Sequence, residues 1–167
     1  SAVAPLQVKA APHEEAVAAL FEVEQTELPE EPEAESPATV QDVLTKVCTD
    51  RGYGETCAQH LLGMLWKESN NIANAVGDRG KARGYFQIWV KLHKISVDCA
   101  EDLECSANWT ISYLERNHYP KYPTYAIQCH NGCNIENGYA ASALRHGKRL
   151  WKQPLAVVKT TEMALAR

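Results

Sequence analysis

Six cysteines fall along the chain as three sequential pairs, Cys48 with Cys57, Cys99 with Cys105 and Cys129 with Cys133, and their spacing limits the fold more than any other feature. Several connectivities are open on sequence alone. Sequential pairing is the simplest, because each bridge then closes a short loop between helices. Oxidised, the cysteines place the protein outside the reducing cytosol, in an extracytoplasmic setting that is secreted, periplasmic or virion-associated. The rival is a metal site, since Cys129, His130 and Cys133, or Cys57 with His60, superficially resemble ligand spacing. Zinc sites normally show two tight ligand pairs, which this sequence lacks, so neither metal nor cofactor is expected.

Helical periodicity runs between these pairs. Thr39 and Asp42 form a capping-box pattern, with aspartate in place of the usual glutamate or glutamine, and Val40, Val43, Leu44 and Val47 follow at helical spacing. A turn at Asp50-Arg-Gly-Tyr-Gly ends that helix. The next carries Ala58, Leu61, Leu62 and Leu65 on one face, and Glu68 continues the stripe just before Asn70, Asn71 and Gly77 end it. A carboxylate on an apolar face, at the negative end of a helix dipole, should hold its proton more readily than a free one. Such a group suits general acid catalysis.

Further along, Gly84 to Trp89 reads as a short strand or hairpin arm, and Ser96 to Ser106 as a loop of small and polar residues. Helices are expected from about Ala107 to Asn117, from Tyr125 to His130 and from Glu136 to His146. The expected class is mainly α, an α+β helical domain with a small extended or β-hairpin segment beside a groove.

Charge divides the chain. Residues 1–39 hold nine glutamates, one lysine and five prolines, a composition that cannot bury enough apolar surface to offset its ordering entropy. They read as an acidic tail or linker, with a short helix conceivable from Glu14 to Val23. The whole chain has 17 basic and 21 acidic residues, which leaves 16 basic and 12 acidic over 40–167, a net of +4. A basic body suits a polyanionic target. Nucleic acid is discounted, because no basic run is interleaved with aromatics in a recognised binding motif. No apolar run approaches the roughly twenty residues of a membrane span, and no intact signal peptide is present. The division is therefore 1–39 as tail or linker, 40–152 as the folded domain that carries Glu68, and 153–167 as a loosely held extension.

Close behind Glu68 comes an ordered set of residues: Glu68-Ser69, Asn74-Ala75, Gly77-Asp78-Arg79-Gly80 and Ala82-x-Gly84-Tyr85-Phe86-Gln87. The set resembles the lysozyme-like fold of the soluble lytic transglycosylases and goose-type lysozymes. Their pattern is a glutamate-serine at a helix end, an asparagine-alanine turn, then glycine-alanine-x-glycine-leucine-methionine-glutamine. Lys81 stands where the first glycine is usual, and Tyr85-Phe86 replace leucine-methionine. The Gly-Asp-Arg-Gly loop is more like the goose-type branch. A second part of the family groove, tyrosine-asparagine-alanine-glycine, has its counterpart at His130-Asn131-Gly132-Cys133, and Tyr139 resembles a later groove tyrosine.

The resemblance implies a muramidase that cuts the β-1,4 bond of peptidoglycan, with Glu68 as general acid. In the transglycosylase route the N-acetyl oxygen of the sugar assists and a 1,6-anhydro end results. In the goose-type route Asp78 would position a water for hydrolysis with inversion. The second aspartate of that type would fall at Trp89, so the product stays open. Ser69, Gly84, Tyr85, Gln87, His130, Asn131 and Tyr139 are the implied substrate-binding residues. Peptidoglycan strands are the implied partner, and residues 1–39 offer a route into a larger cell-envelope or phage assembly. The alternatives are a non-catalytic lysozyme-like module that binds glycan or a partner, and a chitin-directed glycosidase.

Overall fold

A computed structural model describes residues 38–157 together with Pro29. The chain parts into two units, Ser1–Ser36 and Pro37–Arg167, and the described body belongs to the second. The helix anticipated at Glu14 to Val23 lies outside the described residues, as does the end of the chain from residue 158.

The architecture is mostly helical with one small antiparallel sheet. Helix α1, Val40–Asp50, opens with the anticipated capping box: Thr39 Oγ1 accepts from the Asp42 amide at 3.1 Å, and the Thr39 amide donates back to the Asp42 carboxylate at 3.0 Å. Such a cap is worth about 1 kcal/mol. Val40, Leu44 and Val47 are fully or almost fully buried on its inner face. Helix α2, Glu55–Ser69, packs Ala58, Leu61, Leu62 and Leu65 into the same core, and Asn70 ends it in a left-handed conformation.

Strands β1, β2 and β3 are Val76–Gly77, Ala82–Arg83 and Ile88–Trp89, hydrogen-bonded in that order. Only the last two residues of the anticipated arm from Gly84 are extended. Gly84 and Gln87 have φ of 79° and 50°, so the chain turns through this stretch and drops Tyr85 and Phe86 into the core.

Two short helices follow, α3 at Val90–His93 and α4 at Val97–Glu101, and then the longer α5 at Leu103–Arg116. The anticipated loop over Ser96 to Ser106 is therefore helical for most of its length. Its polar residues are caps: Ser96 Oγ accepts from the Cys99 amide at 3.0 Å and Asp102 Oδ2 from the Cys105 amide at 2.8 Å. Helix α6 is Pro123–Asn131 and α7 is Tyr139–Leu150.

The principal helix pair is α2 with α7, and its closeness rests on two glycines. A Cβ on Gly63 would strike the Ala143 carbonyl, and one on Gly147 would strike the Gln59 carbonyl. Helix α1 is tied to the segment after α7 as well. The buried Gln41 amide donates to the Leu150 and Gln153 carbonyls at 3.2 and 2.7 Å and accepts from the Leu155 amide at 3.1 Å, while Thr39 pairs with Ala156. Residues 153–156 are thus held to the body by hydrogen bonds, the part of the anticipated loose extension that the structure describes.

Three disulfides are formed, Cys48–Cys57, Cys99–Cys105 and Cys129–Cys133, the sequential connectivity. They join α1 to α2, α4 to α5, and the end of α6 to the turn after it. Bridges of this kind are compatible with a secreted protein. Among the described residues no helix is long and apolar enough to cross a membrane.

Candidate active site

Glu68 reaches its position because the apolar stripe of α2 runs to the last turn. Leu61 and Leu65 are buried completely on that face, and the Glu68 side chain, next along it, keeps 17% of its surface accessible. It lies in the wall of a cleft of about 480 Å³, between the sheet on one side and helices α3, α5 and α6 on the other. The cleft brings together five of the anticipated site residues: Glu68, Asp78, Gln87, His130 and Asn131.

His130, in the last turn of α6, is the nearest partner of the glutamate. Its Nε2 lies 3.4 Å from Glu68 Oε2 and 2.7 Å from the Phe86 carbonyl oxygen. A carbonyl can only accept, so Nε2 carries the proton and gives it to Phe86, which leaves the polarised N–H edge beside the carboxylate without a hydrogen bond to it. Tyr139, the first residue of α7, is 4% exposed, and its hydroxyl has no hydrogen-bond partner among the described residues. Burial drives its phenol upward from the ordinary value, and the Glu68 carboxylate adds to the effect. Tyr139 therefore backs the glutamate from beneath and does not line the cleft.

Asp78 sits in the turn between β1 and β2, where both it and Arg79 adopt left-handed conformations, with φ of 47° and 58°. Two such residues in succession are costly without glycine. The Asp78 carboxylate is fixed by Trp89, whose indole Nε1 donates to Oδ2 at 2.8 Å, and the Lys81 ammonium rests 5.1 Å above the indole ring. Trp89, which lacks the carboxylate of a second aspartate, thus orients the first one.

Gln87 reaches the cleft, but its amide is engaged in holding the turn. Nε2 donates to the carbonyls of Ala75 and Gly84 at 3.1 and 3.0 Å, and Oε1 packs where a Cβ on Gly77 would lie. Asn131 is braced by a chain of amides. Asn137 Nδ2 donates to Asn131 Oδ1 at 2.6 Å, and Gln128 Nε2 donates to Asn137 Oδ1 at 3.1 Å. The Cys129–Cys133 bridge closes the same turn, which leaves the Asn131 side-chain N–H groups uncommitted among the described residues.

Besides Tyr139, three anticipated groove residues lie outside the cleft lining. Gly84 is required for backbone packing, since a Cβ there would strike the Ala100 carbonyl of α4. Tyr85 is 2% exposed and belongs to the core, where burial, with a smaller contribution from Asp102, pushes its phenol up to about 12. Ser69 is buried with its hydroxyl donating to the Leu65 carbonyl at 3.1 Å, a bond within its own helix.

The wall opposite Glu68 includes residues that the sequence reading passed over. Trp109 and Tyr113 of α5 stack with centroids 5.3 Å apart, and His93 of α3 lies 4.8 Å from Trp109. The Tyr113 hydroxyl donates to the Cys129 carbonyl at 3.2 Å, tying this wall to the turn that bears Asn131. Burial, then His130 and Arg116, lower the affinity of His93 for a proton. The available signal was the spacing of Trp109 and Tyr113, one helical turn apart and off the Ala107, Ile111, Leu114 stripe. Both rings are only partly buried, with Trp109 packed against the edge of the core, and what they leave open suits a flat ligand such as a sugar ring.

Among the described residues no group of three or more His, Cys, Asp or Glu could hold a metal ion. The arrangement offers one acid with an imidazole edge 3.4 Å away, a second carboxylate held by Trp89 in the lining of the same cleft, and aromatic walls. Compared with family models, with curated proteins and with solved structures, the chain finds no match in any of the three.

Proposed function

We propose that the chain is a lysozyme-like muramidase, which cuts the β-1,4 bond between N-acetylmuramic acid and N-acetylglucosamine in peptidoglycan outside the cytoplasm. The observation that carries this reading is the placement of Glu68, a mostly buried carboxylate at a helix end that opens onto an aromatic-walled cleft. A glycosidic bond needs a proton delivered to its leaving oxygen and support for the oxocarbenium-like centre that forms. Glu68 delivers the proton. Aromatic faces at Trp109 and Tyr113 hold the sugar rings, and the Asn131 amide donates to hydroxyl or N-acetyl oxygens.

The resemblance noted in the sequence adds the choice between two products. Hydrolysis with inversion requires a carboxylate that activates water on the far face of the sugar, and Asp78, held by Trp89 and lining the same cleft, is our candidate for that role. Transglycosylation requires no second carboxylate, and Glu68 itself returns as base.

Digestion of purified peptidoglycan, followed by mass spectrometry of the released muropeptides, tests the reading. The oxidised full-length protein is expected to release fragments, and Glu68→Gln to be slower by about a thousandfold. Absence of products from the wild type, or equal rates for the two proteins, defeats it. Cleavage of chitin oligosaccharides in preference to peptidoglycan would move the activity to another substrate on the same acid.

A further inference from the structure

Beyond Trp89 lies a second cavity of about 590 Å³ that the proposed reaction does not use. Four cations enter its lining, Arg79, Lys81, Arg83 and Lys91, and no carboxylate does. Among the described residues none of the four takes part in an ion pair. The Nε of Arg83 is buried with no hydrogen-bond partner among the described residues, an unusual state for a guanidinium, whose donors are ordinarily satisfied. Between the cations the surface is apolar, formed by Val90, Leu92 and Val97. Trp89 and Leu92 line both cavities, so a ligand in the first cleft has a neighbouring group within reach of the second.

Four like charges around one cavity repel one another, and a bound anion relieves that repulsion. A free inorganic anion would gain nothing from the apolar floor. A substituent with both carboxylates and alkyl groups would use all of the lining, and its attachment to a sugar in the cleft would account for the shared wall. We infer that the second cavity is a subsite for the acidic peptide carried on the glycan, with its carboxylates received by Arg79, Arg83 and Lys91 and its aliphatic atoms resting on Val90, Leu92 and Val97. This inference rests on the muramidase reading for the identity of the glycan. Lys81, stacked on Trp89, adds charge at the border between the two sites. The cleft then selects the sugar, and the second cavity selects strands that still bear their peptides.

Binding tests this apart from turnover. N-acetylmuramyl-L-alanyl-D-glutamate, titrated calorimetrically into full-length Glu68→Gln, is expected to bind about tenfold more tightly than the same compound with both carboxylates amidated. The double variant Arg79→Gln/Lys91→Gln, changed at two exposed positions so that the fold is not at risk, should lose about the same factor for the acid. Equal binding of acid and amide overturns the inference, as does undiminished binding by the double variant or equal competition from acetate at the same carboxylate concentration. In turnover, the ratio of kcat/KM on peptide-bearing strands to that on strands stripped of peptide should fall about tenfold in the double variant. An unchanged ratio overturns the subsite and leaves the muramidase standing. Acid-selective binding by a wild type that cleaves neither strand defeats the muramidase and leaves the subsite.

Discussion

The Nε2 of His130 stands 3.4 Å from Oε2 of Glu68 while its proton is directed at the Phe86 carbonyl, 2.7 Å away. The histidine thereby spends its single Nε2 proton on Phe86 and has no free Nε2 lone pair with which to take the proton of Glu68. It can steady the carboxylate once the proton has left for the leaving oxygen. Its ring is itself held between aromatic neighbours, with Tyr113 6.0 Å and Trp109 6.5 Å away between centroids.

Replacing His130 with phenylalanine keeps the aromatic packing and removes both interactions. Peptidoglycan cleavage by His130→Phe is expected to fall about tenfold to a hundredfold in kcat with little change in KM, because the polar imidazole edge lost from beside Glu68 matters after proton transfer. The Phe86 carbonyl loses its side-chain partner as well, at a cost of about 1–3 kcal/mol of stability. Urea unfolding and steady-state kinetics separate the two effects. A variant that loses stability while retaining kcat would make His130 structural only.

The Asp78–Trp89 hydrogen bond gives a prediction about product. If Asp78 positions the water, Asp78→Asn removes most reducing-end fragments, and Trp89→Phe, which keeps the ring and deletes the indole N–H, reduces them to a lesser extent. The expected losses are about a hundredfold and about tenfold. Mass spectrometry of muropeptides reads both. Anhydro ends made at the wild-type rate by both variants would remove Asp78 from the chemistry and favour the transglycosylase route.

The helical body was legible because its stripes are local: Leu61, Leu65 and Glu68 declare one face of α2 within a few turns of chain. The caps were harder to see. Ser96 and Asp102 each precede a cysteine by three residues, and without tertiary structure a capping residue looks like any other polar loop residue. Gly84 and Tyr85 show what a linear motif leaves out. It marks where the chain must turn and what must be packed, but a glycine needed against the Ala100 carbonyl reads the same as one needed against a saccharide. The wall of Trp109, Tyr113 and His93 was half legible, since the two aromatics share a face of α5 off its apolar stripe, but the approach of His93 from α3 is decided by packing alone. Gln41 holds the residues after α7 by hydrogen bonds across more than a hundred positions, a partnership with no local signature.

Tyr139 carries a hydroxyl that is buried without a partner beside Glu68, so its removal costs the folded protein little. Tyr139→Phe should unfold within about 1 kcal/mol of the wild type and could be the more stable of the two. If the phenol orients the acid from behind, kcat/KM falls about tenfold while the thermal midpoint is held or rises. Unchanged kinetics would confine Tyr139 to packing. A marked loss of stability would mean that the hydroxyl has a partner, for instance an ordered water.

The last prediction concerns pH. His60 lies on α2, with Nδ1 2.9 Å from the Tyr119 hydroxyl, and its affinity for a proton is lowered by burial first and by Lys148 second. His93 is lowered as well, again chiefly by burial. In the unfolded chain these rings take up protons near the ordinary histidine value of about 6.5. Below that pH the unfolded state therefore binds more protons than the folded one, and stability decreases as acid is added until the lower folded value is reached. Above it both states are neutral and the contribution is fully present. The urea midpoint should be level from pH 8 to 7 and decline as the pH falls from 6.5 towards 5. In His60→Gln, where an uncharged amide can still meet the Tyr119 hydroxyl, the decline should be shallower, with His93 supplying part of what is left. Parallel curves for the two proteins would show that His60 titrates alike in both states and that the acid sensitivity arises elsewhere.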